Sequence, residues 1–151
     1  MAESSFVYVT YIRTTPERLW SALTSKDFAR QYWLGVEVDA EWKVGGDWKL
    51  SYPNGKVVDA GQIVEFVPEK RLAIRWRHEM RPELKEEGWS LCTMELEPSG
   101  PAVKLTVTHG MERADSKFIV AVSGGWPQIL SNLKSLLETG STALPPRDFS
   151  S

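Results

Sequence analysis

Trp126-Pro127-Gln128-Ile129-Leu130-Ser131-Asn132-Leu133-Lys134-Ser135-Leu136-Leu137-Glu138 is the stretch on which the fold turns. Trp126, Ile129, Leu130, Leu133, Leu136 and Leu137 recur at three- and four-residue intervals, which puts them on one stripe of a helix. Pro127 fits a first helical turn, where its missing N–H has no bond to lose, and Gly140 stands where a helix stops. Just upstream, Ser123-Gly124-Gly125 predicts an interruption, since two adjacent glycines weaken a helix by about 2 kcal/mol. The expectation is a short helix from Asp115 to Val122, a break, and a new helix from Trp126 to Glu138. Bending at the glycines would then open a way past Trp126. At 1.5 Å per residue the second helix is about 20 Å long, enough to lie across four or more strands spaced about 4.8 Å apart. Its apolar stripe must cover something.

The rest of the chain supplies a sheet for it to cover. Phe6, Tyr8, Tyr11 and Ile12 lie in an aromatic, β-branched opening strand. Thr15 and Ser25 stand at the N-cap positions of two short helices, the first with Pro16 at its first position and Leu19, Trp20 and Leu23 at helical spacing. Phe28, Tyr32 and Trp33 form the apolar side of the second. After Gly35 the period changes to two: Val36 and Val38, then Trp48, Leu50 and Tyr52 after Gly45-Gly46, then a run from Val57 to Val67 behind the turn signal Asn54-Gly55. Leu72, Ile74 and Trp76 alternate with Ala73, Arg75 and Arg77. Cys92, Met94 and Leu96 alternate with Thr93, Glu95 and Glu97, and Val103, Leu105 and Val107 with Lys104, Thr106 and Thr108. Pro98-Ser99-Gly100-Pro101 turns the last two strands into a hairpin, and the charged stretch from Arg81 to Gly88 reads as a loop overhanging the sheet. Strand, two helices, about six further strands and a terminal helix predict an α+β fold.

With 151 residues, 42% hydrophobic and 25% charged, the chain is expected to form one domain with its core in residues 6–140 and a mobile tail over 141–151. Eighteen basic against twenty acidic residues leave a net charge of -2, without the basic stripe that a phosphate backbone requires, so nucleic acid is excluded as an expected partner. Nowhere do eighteen apolar residues stand together, and no membrane span is expected. A single cysteine, Cys92, forms no intrachain disulfide and fits a cytoplasmic location. Two histidines make no zinc set, and no phosphate-binding glycine loop is present, so neither metal nor cofactor is expected.

Thr15-Pro16-Glu17-Arg18-Leu19-Trp20, Gly45-Gly46-Asp47-Trp48, Pro68-Glu69-Lys70-Arg71-Leu72 and Gly125-Trp126-Pro127, in this order and spacing, resemble the START-like, birch-pollen-allergen (SRPBCC) superfamily. Within it the sequence is most similar to the bacterial family named after the C-terminal domain of the activator of the ninety-kilodalton heat-shock chaperone's ATPase. The likeness covers roughly Phe6 to Gly140. It implies a helix-grip fold, a curved antiparallel sheet of six or seven strands around a long C-terminal helix, with a cavity for a lipid-like or polycyclic molecule. The family's name implies a chaperone or other protein as a second kind of partner and a link to stress response, and other members of the superfamily imply a polyketide cyclase- or dehydrase-like enzyme.

Candidate cavity residues follow from the phases of the elements. Trp33, Trp48, Tyr52, Trp76 and Trp126 sit on apolar phases or element ends, as do Ile129, Leu130 and Leu133 on the terminal helix and Cys92 and Met94 on their strand. Each equally suits ordinary core packing. A hairpin turn at Ser99-Gly100 predicts Leu96 opposite Val103, Met94 opposite Leu105, Cys92 opposite Val107 and Ser90 opposite His109. The same alternation sets Leu72 opposite Leu96, Trp76 opposite Cys92 and His78 opposite Ser90. His78 and His109 would then flank Ser90 on one inward rim, a polar patch able to orient a ligand in an apolar pocket. Taken singly, each histidine reads as the cap of a core. Acid–base catalysis would need a partner carboxylate, and Glu79 and Glu112 are expected to alternate outward or sit in loops. The leading expectation is a binder of small hydrophobic molecules without catalysis.

Overall fold

Local signals start the first helices where they stand in the sequence. In the computed structural model, which describes residues 3–145, β1 (Ser4–Ile12) is followed by α1 (Pro16–Leu23) and α2 (Lys26–Tyr32). The Thr15 hydroxyl accepts the Arg18 amide at 3.2 Å, and the Ser25 hydroxyl accepts that of Phe28 at 3.3 Å. Each cap satisfies an amide that the helix itself leaves free.

The strands β2 (Glu37–Ala40), β3 (Asp47–Ser51), β4 (Val57–Val67), β5 (Arg71–His78), β6 (Ser90–Ser99) and β7 (Ala102–Met111) run as a meander, and β1 closes on the outer side of β7. The result is a seven-stranded antiparallel sheet of order β1-β7-β6-β5-β4-β3-β2, with the α+β class and the long C-terminal helix of a helix-grip. Period-two patterning governs the faces: Val103, Leu105, Val107, His109 and Met111 of β7 are all buried, while the residues between them are partly exposed. At Gly61 of β4, a Cβ would stand 1.7 Å from the Arg75 carbonyl oxygen, so only glycine lets β4 approach β5 beside Trp76.

Three expectations about strand pairing are corrected. The hairpin turns at Gly100-Pro101, with Ser99 paired to Ala102, because Gly100 takes the positive φ of 58° that a two-residue turn requires. The β6–β7 register therefore moves by two residues: Leu96 faces Leu105, Met94 faces Val107 and Cys92 faces His109. The β5–β6 register moves by two as well, giving Leu72 opposite Met94, Ile74 opposite Cys92 and Trp76 opposite Ser90. A two-residue slip keeps every side chain on its face while changing its neighbour.

The expected break at Gly124-Gly125 is absent, and α4 runs unbroken from Lys117 to Thr139 through both glycines and Pro127. The penalty of about 2 kcal/mol is outweighed because both halves are anchored. Phe118 and Ile119 are buried before the glycines, and Trp126, Leu130, Leu133, Leu136 and Leu137 after them. The helix start is held just as firmly. The Ser116 hydroxyl accepts the Ile119 amide at 3.1 Å, and the Glu87 carboxylate accepts the Lys117 amide at 2.9 Å and the Phe118 amide at 3.2 Å.

Glu87 comes from the charged stretch read as an overhanging loop, which contains a helical turn, α3 (Pro82–Lys85), with Leu84 buried. Of the residues expected to form a tail, those from 146 on lie outside the described residues. Those before are tied to α4: the Asn132 side chain accepts from the Leu144 amide at 2.6 Å and donates to its carbonyl at 3.2 Å.

Candidate functional site

Between the β3–β5 end of the sheet and the first half of α4 lies a cavity of about 240 Å³. Trp76 and His78 enter it from β5, Asp59 from β4, Leu50 from β3, and Trp33 and Leu34 from the end of α2. Phe118, Ala121, Val122, Gly125, Trp126 and Ile129 of α4 face it from the opposite side, and Arg81 and Leu84 of the α3 turn close a flank. Aromatic rings make much of the wall. Trp33 and Trp126 meet edge-on with centroids 5.5 Å apart, Trp76 and Trp126 at 5.8 Å, and Phe118 lies 6.1 Å from the His78 ring.

Six of the residues expected at the cavity line it: Trp33, Tyr52, Trp76, His78, Trp126 and Ile129. The others lie away from it. Trp48 packs behind Trp76, with ring centroids 4.3 Å apart, and Met94 and Leu130 are buried in the adjoining core. Leu133 and Cys92 are fully enclosed, and burial pushes the Cys92 thiol well above its ordinary pKa.

The two histidines do not share one rim around Ser90. His109 is wholly buried, and both of its ring nitrogens are taken. The Trp126 indole N–H donates to Nδ1 at 3.1 Å; since that indole can only donate, Nδ1 is the acceptor and Nε2 carries the proton. Nε2–H then donates to the Ser90 hydroxyl at 2.8 Å, and that hydroxyl donates to the Trp76 carbonyl at 2.9 Å. Burial lowers the His109 pKa from 6.5 to about 3. A neutral ring with both nitrogens bonded ties α4 to the sheet; it is poorly placed to carry protons.

His78 has different company. It stands opposite Asp59 on β4, and its Nδ1 lies 2.8 Å from the Asp59 carboxylate, with both side chains about nine-tenths buried. The carboxylate fixes the proton on Nδ1 and leaves Nε2 with a lone pair in the neutral ring. Among the described residues, neither His78 Nε2 nor the indole Nε1 of Trp76 has a hydrogen-bond partner, although both atoms are inaccessible to bulk solvent. Asp59 was missed in the sequence. Its signal was available, because it shares the alternating phase of buried Ile63 in the run from Val57 to Val67, where a carboxylate is out of place unless paired. Glu79 points outward as expected and binds Arg77 at 2.6 Å; the hydrogen bond from that guanidinium holds its carboxyl below the usual range. Among the described residues, no helix is long and apolar enough to cross a membrane.

Comparisons with known proteins agree with this architecture. A protein of Mesorhizobium loti is 25% identical, with a TM-score of 0.77 over 89% of this chain and 96% of its own. The Aha1 dimer of Colwellia psychrerythraea, 20% identical, superposes with a TM-score of 0.75 over 91% of this chain and 98% of its own. An Hsp90 activator of Plasmodium falciparum, 23% identical, gives 0.72 over 88% and 95%. No curated relative matches significantly. The model of one family, described as Activator of Hsp90 ATPase homolog 1-like protein, matches residues 13–138. The chain belongs to that family.

Proposed function

We propose that the chain binds a compact hydrophobic molecule in the cavity between the curved sheet and α4. The observation that carries this reading is the cavity itself: about 240 Å³, partly open to solvent and walled by Trp33, Trp76, Phe118 and Trp126 against a close-packed core. An apolar cavity of about 150 Å³ accepts benzene, so the additional space suits a fused second ring. A long acyl chain or a tetracyclic skeleton would have to extend out through the open side of the cavity. Titration with naphthalene-sized aromatics should raise the melting temperature and shift the indole N–H resonances of Trp33 and Trp76. If no bicyclic aromatic, polar or apolar, shifts either at saturation, the cavity is merely structural and the reading is wrong.

A second reading, an accessory that acts on a chaperone ATPase through protein contacts, draws support from the description of the family. The outer face of the sheet offers exposed apolar side chains, Val7, Val9 and Tyr11 on β1 and Leu91 on β6, for such contacts. Stimulation of the host chaperone's ATPase by the wild-type chain, lost on Val9→Glu/Leu91→Glu, is the expected result. Absence of both binding and stimulation disposes of it. The cyclase-like alternative would have to run through His78, since His109 has no free nitrogen.

A further inference from the structure

We infer that the cavity selects aromatic ligands that carry a hydroxyl group, with the ligand's O–H donating to His78 Nε2 and its oxygen accepting from the Trp76 indole N–H. The inference rests on the cavity-binding reading above and adds the chemistry that the ligand must present. Two residues that line the same cavity each carry a buried polar atom with no partner among the described residues, just beneath the wall, where a small side-chain shift would bring it to a ligand. Buried polar groups in folded proteins are nearly always bonded, so two orphans on one wall call for an explanation.

Their chemistry is complementary. The Asp59 carboxylate, 2.8 Å from Nδ1, sets the His78 tautomer so that Nε2 is an acceptor in the neutral ring. The Trp76 indole has a proton to give and no lone pair to offer. His78 and Trp76 are two residues apart on β5 and so project from the same face of the sheet, about 7 Å apart at their α-carbons. An acceptor and a donor on one face of one strand are matched by a group that both donates and accepts. A hydroxyl does both, whereas a hydrocarbon does neither and an ether only accepts. His109, the other buried histidine, makes no such offer, because Trp126 and Ser90 already occupy its nitrogens. The surrounding rings and the volume of about 240 Å³ set the remainder of the ligand as a fused bicyclic aromatic.

The test compares 2-naphthol with 2-methylnaphthalene, which has nearly the same shape and differs by hydroxyl against methyl. In a cavity without polar anchors the naphthol is the weaker ligand, because its hydroxyl must leave water without replacement. Here it is expected to bind about tenfold more tightly than the methyl compound, the usual worth of one or two recovered hydrogen bonds. The Trp76 indole proton should move downfield with naphthol only. His78→Phe should abolish or reverse the preference while methylnaphthalene still binds. Because that change strands the Asp59 carboxylate, Asp59→Leu/His78→Phe serves as the companion variant, with the same result expected.

Equal or inverted affinities for the two ligands in the wild-type protein, or a naphthol preference that survives both variants, overturn the inference and leave the cavity reading standing. Binding of neither ligand overturns both. A naphthol preference that disappears in a variant still able to bind methylnaphthalene supports both.

Discussion

Replacing His109 by glutamine should change how stability depends on pH more than it changes stability at neutral pH. In the folded chain the ring is neutral and enclosed by Ser90, Cys92, Trp76, Phe118 and Trp126, none of which carries charge at neutral pH, and burial lowers its pKa from 6.5 to about 3. The unfolded chain therefore takes up a proton at this histidine at a higher pH than the folded chain does. Above pH 6.5 the full contribution is present; as the pH falls from 6.5 toward 3, protonation favours the unfolded state and the contribution is lost. Each pH unit in that window is worth about 1.4 kcal/mol, so going from pH 7 to pH 4.5 should cost the wild type roughly 2 to 3 kcal/mol through His109 alone. Carboxylates such as Glu79, Glu87 and Glu138, whose pKa values are lowered, lose stabilisation in the same direction. They do so in both proteins, so the difference isolates His109. Urea unfolding at half-unit intervals from pH 7.5 to 4.5, on wild type and His109→Gln, gives that difference directly. A flat difference, or an imidazole that titrates above pH 5 in the folded protein by NMR, would refute the account of His109 as a locked neutral link.

Three further outcomes follow from the backbone and its caps. Gly124→Ala should stabilise the chain by about 1 kcal/mol, since alanine is the better helix former and a Cβ there meets no atom within 4 Å; a thermal melt lower than the wild type's would contradict this. Gly61→Ala should destabilise by about 3 kcal/mol or prevent folding, because the new Cβ falls 1.7 Å from the Arg75 carbonyl oxygen; an unchanged urea midpoint would show that β4 and β5 separate easily. Glu87→Ala removes the acceptor of the Lys117 and Phe118 amides and should cost about 1 to 2 kcal/mol, with faster hydrogen exchange confined to the first turn of α4. Burial opposes the charge of Glu87, yet the hydrogen bonds from Ser116, Lys117 and Phe118 outweigh it and hold the carboxyl low, so this contribution should fade only in acid.

Much of this protein is written locally. Caps at Thr15 and Ser25, the alternation along β5, β6 and β7, and the stripe from Trp126 to Leu137 each depend on neighbours within a few residues, and each could be read from the chain before any contact was known. Together with the motifs spread from Thr15 to Pro127 they determined the fold class, the identity of the inward faces and the family.

What tertiary structure alone decided is which inward residues meet. A hairpin slipped by two residues has the same hydrophobic pattern, so the pattern could not show that Cys92 faces His109 or that Trp76 faces Ser90. Nor could propensity show that α4 runs through Gly124 and Gly125, because the burial that overrides those glycines involves distant parts of the chain. The pairing of Asp59 with His78 joins residues 19 positions apart across β4 and β5, and the occupation of both His109 nitrogens joins β6, β7 and α4. The sequence determined that two histidines would face inward. Only the packing of strands and helix, which sets distances that local periodicity leaves free, decided that His109 is sealed and that His78, a cavity-lining residue, keeps a nitrogen without a partner among the described residues.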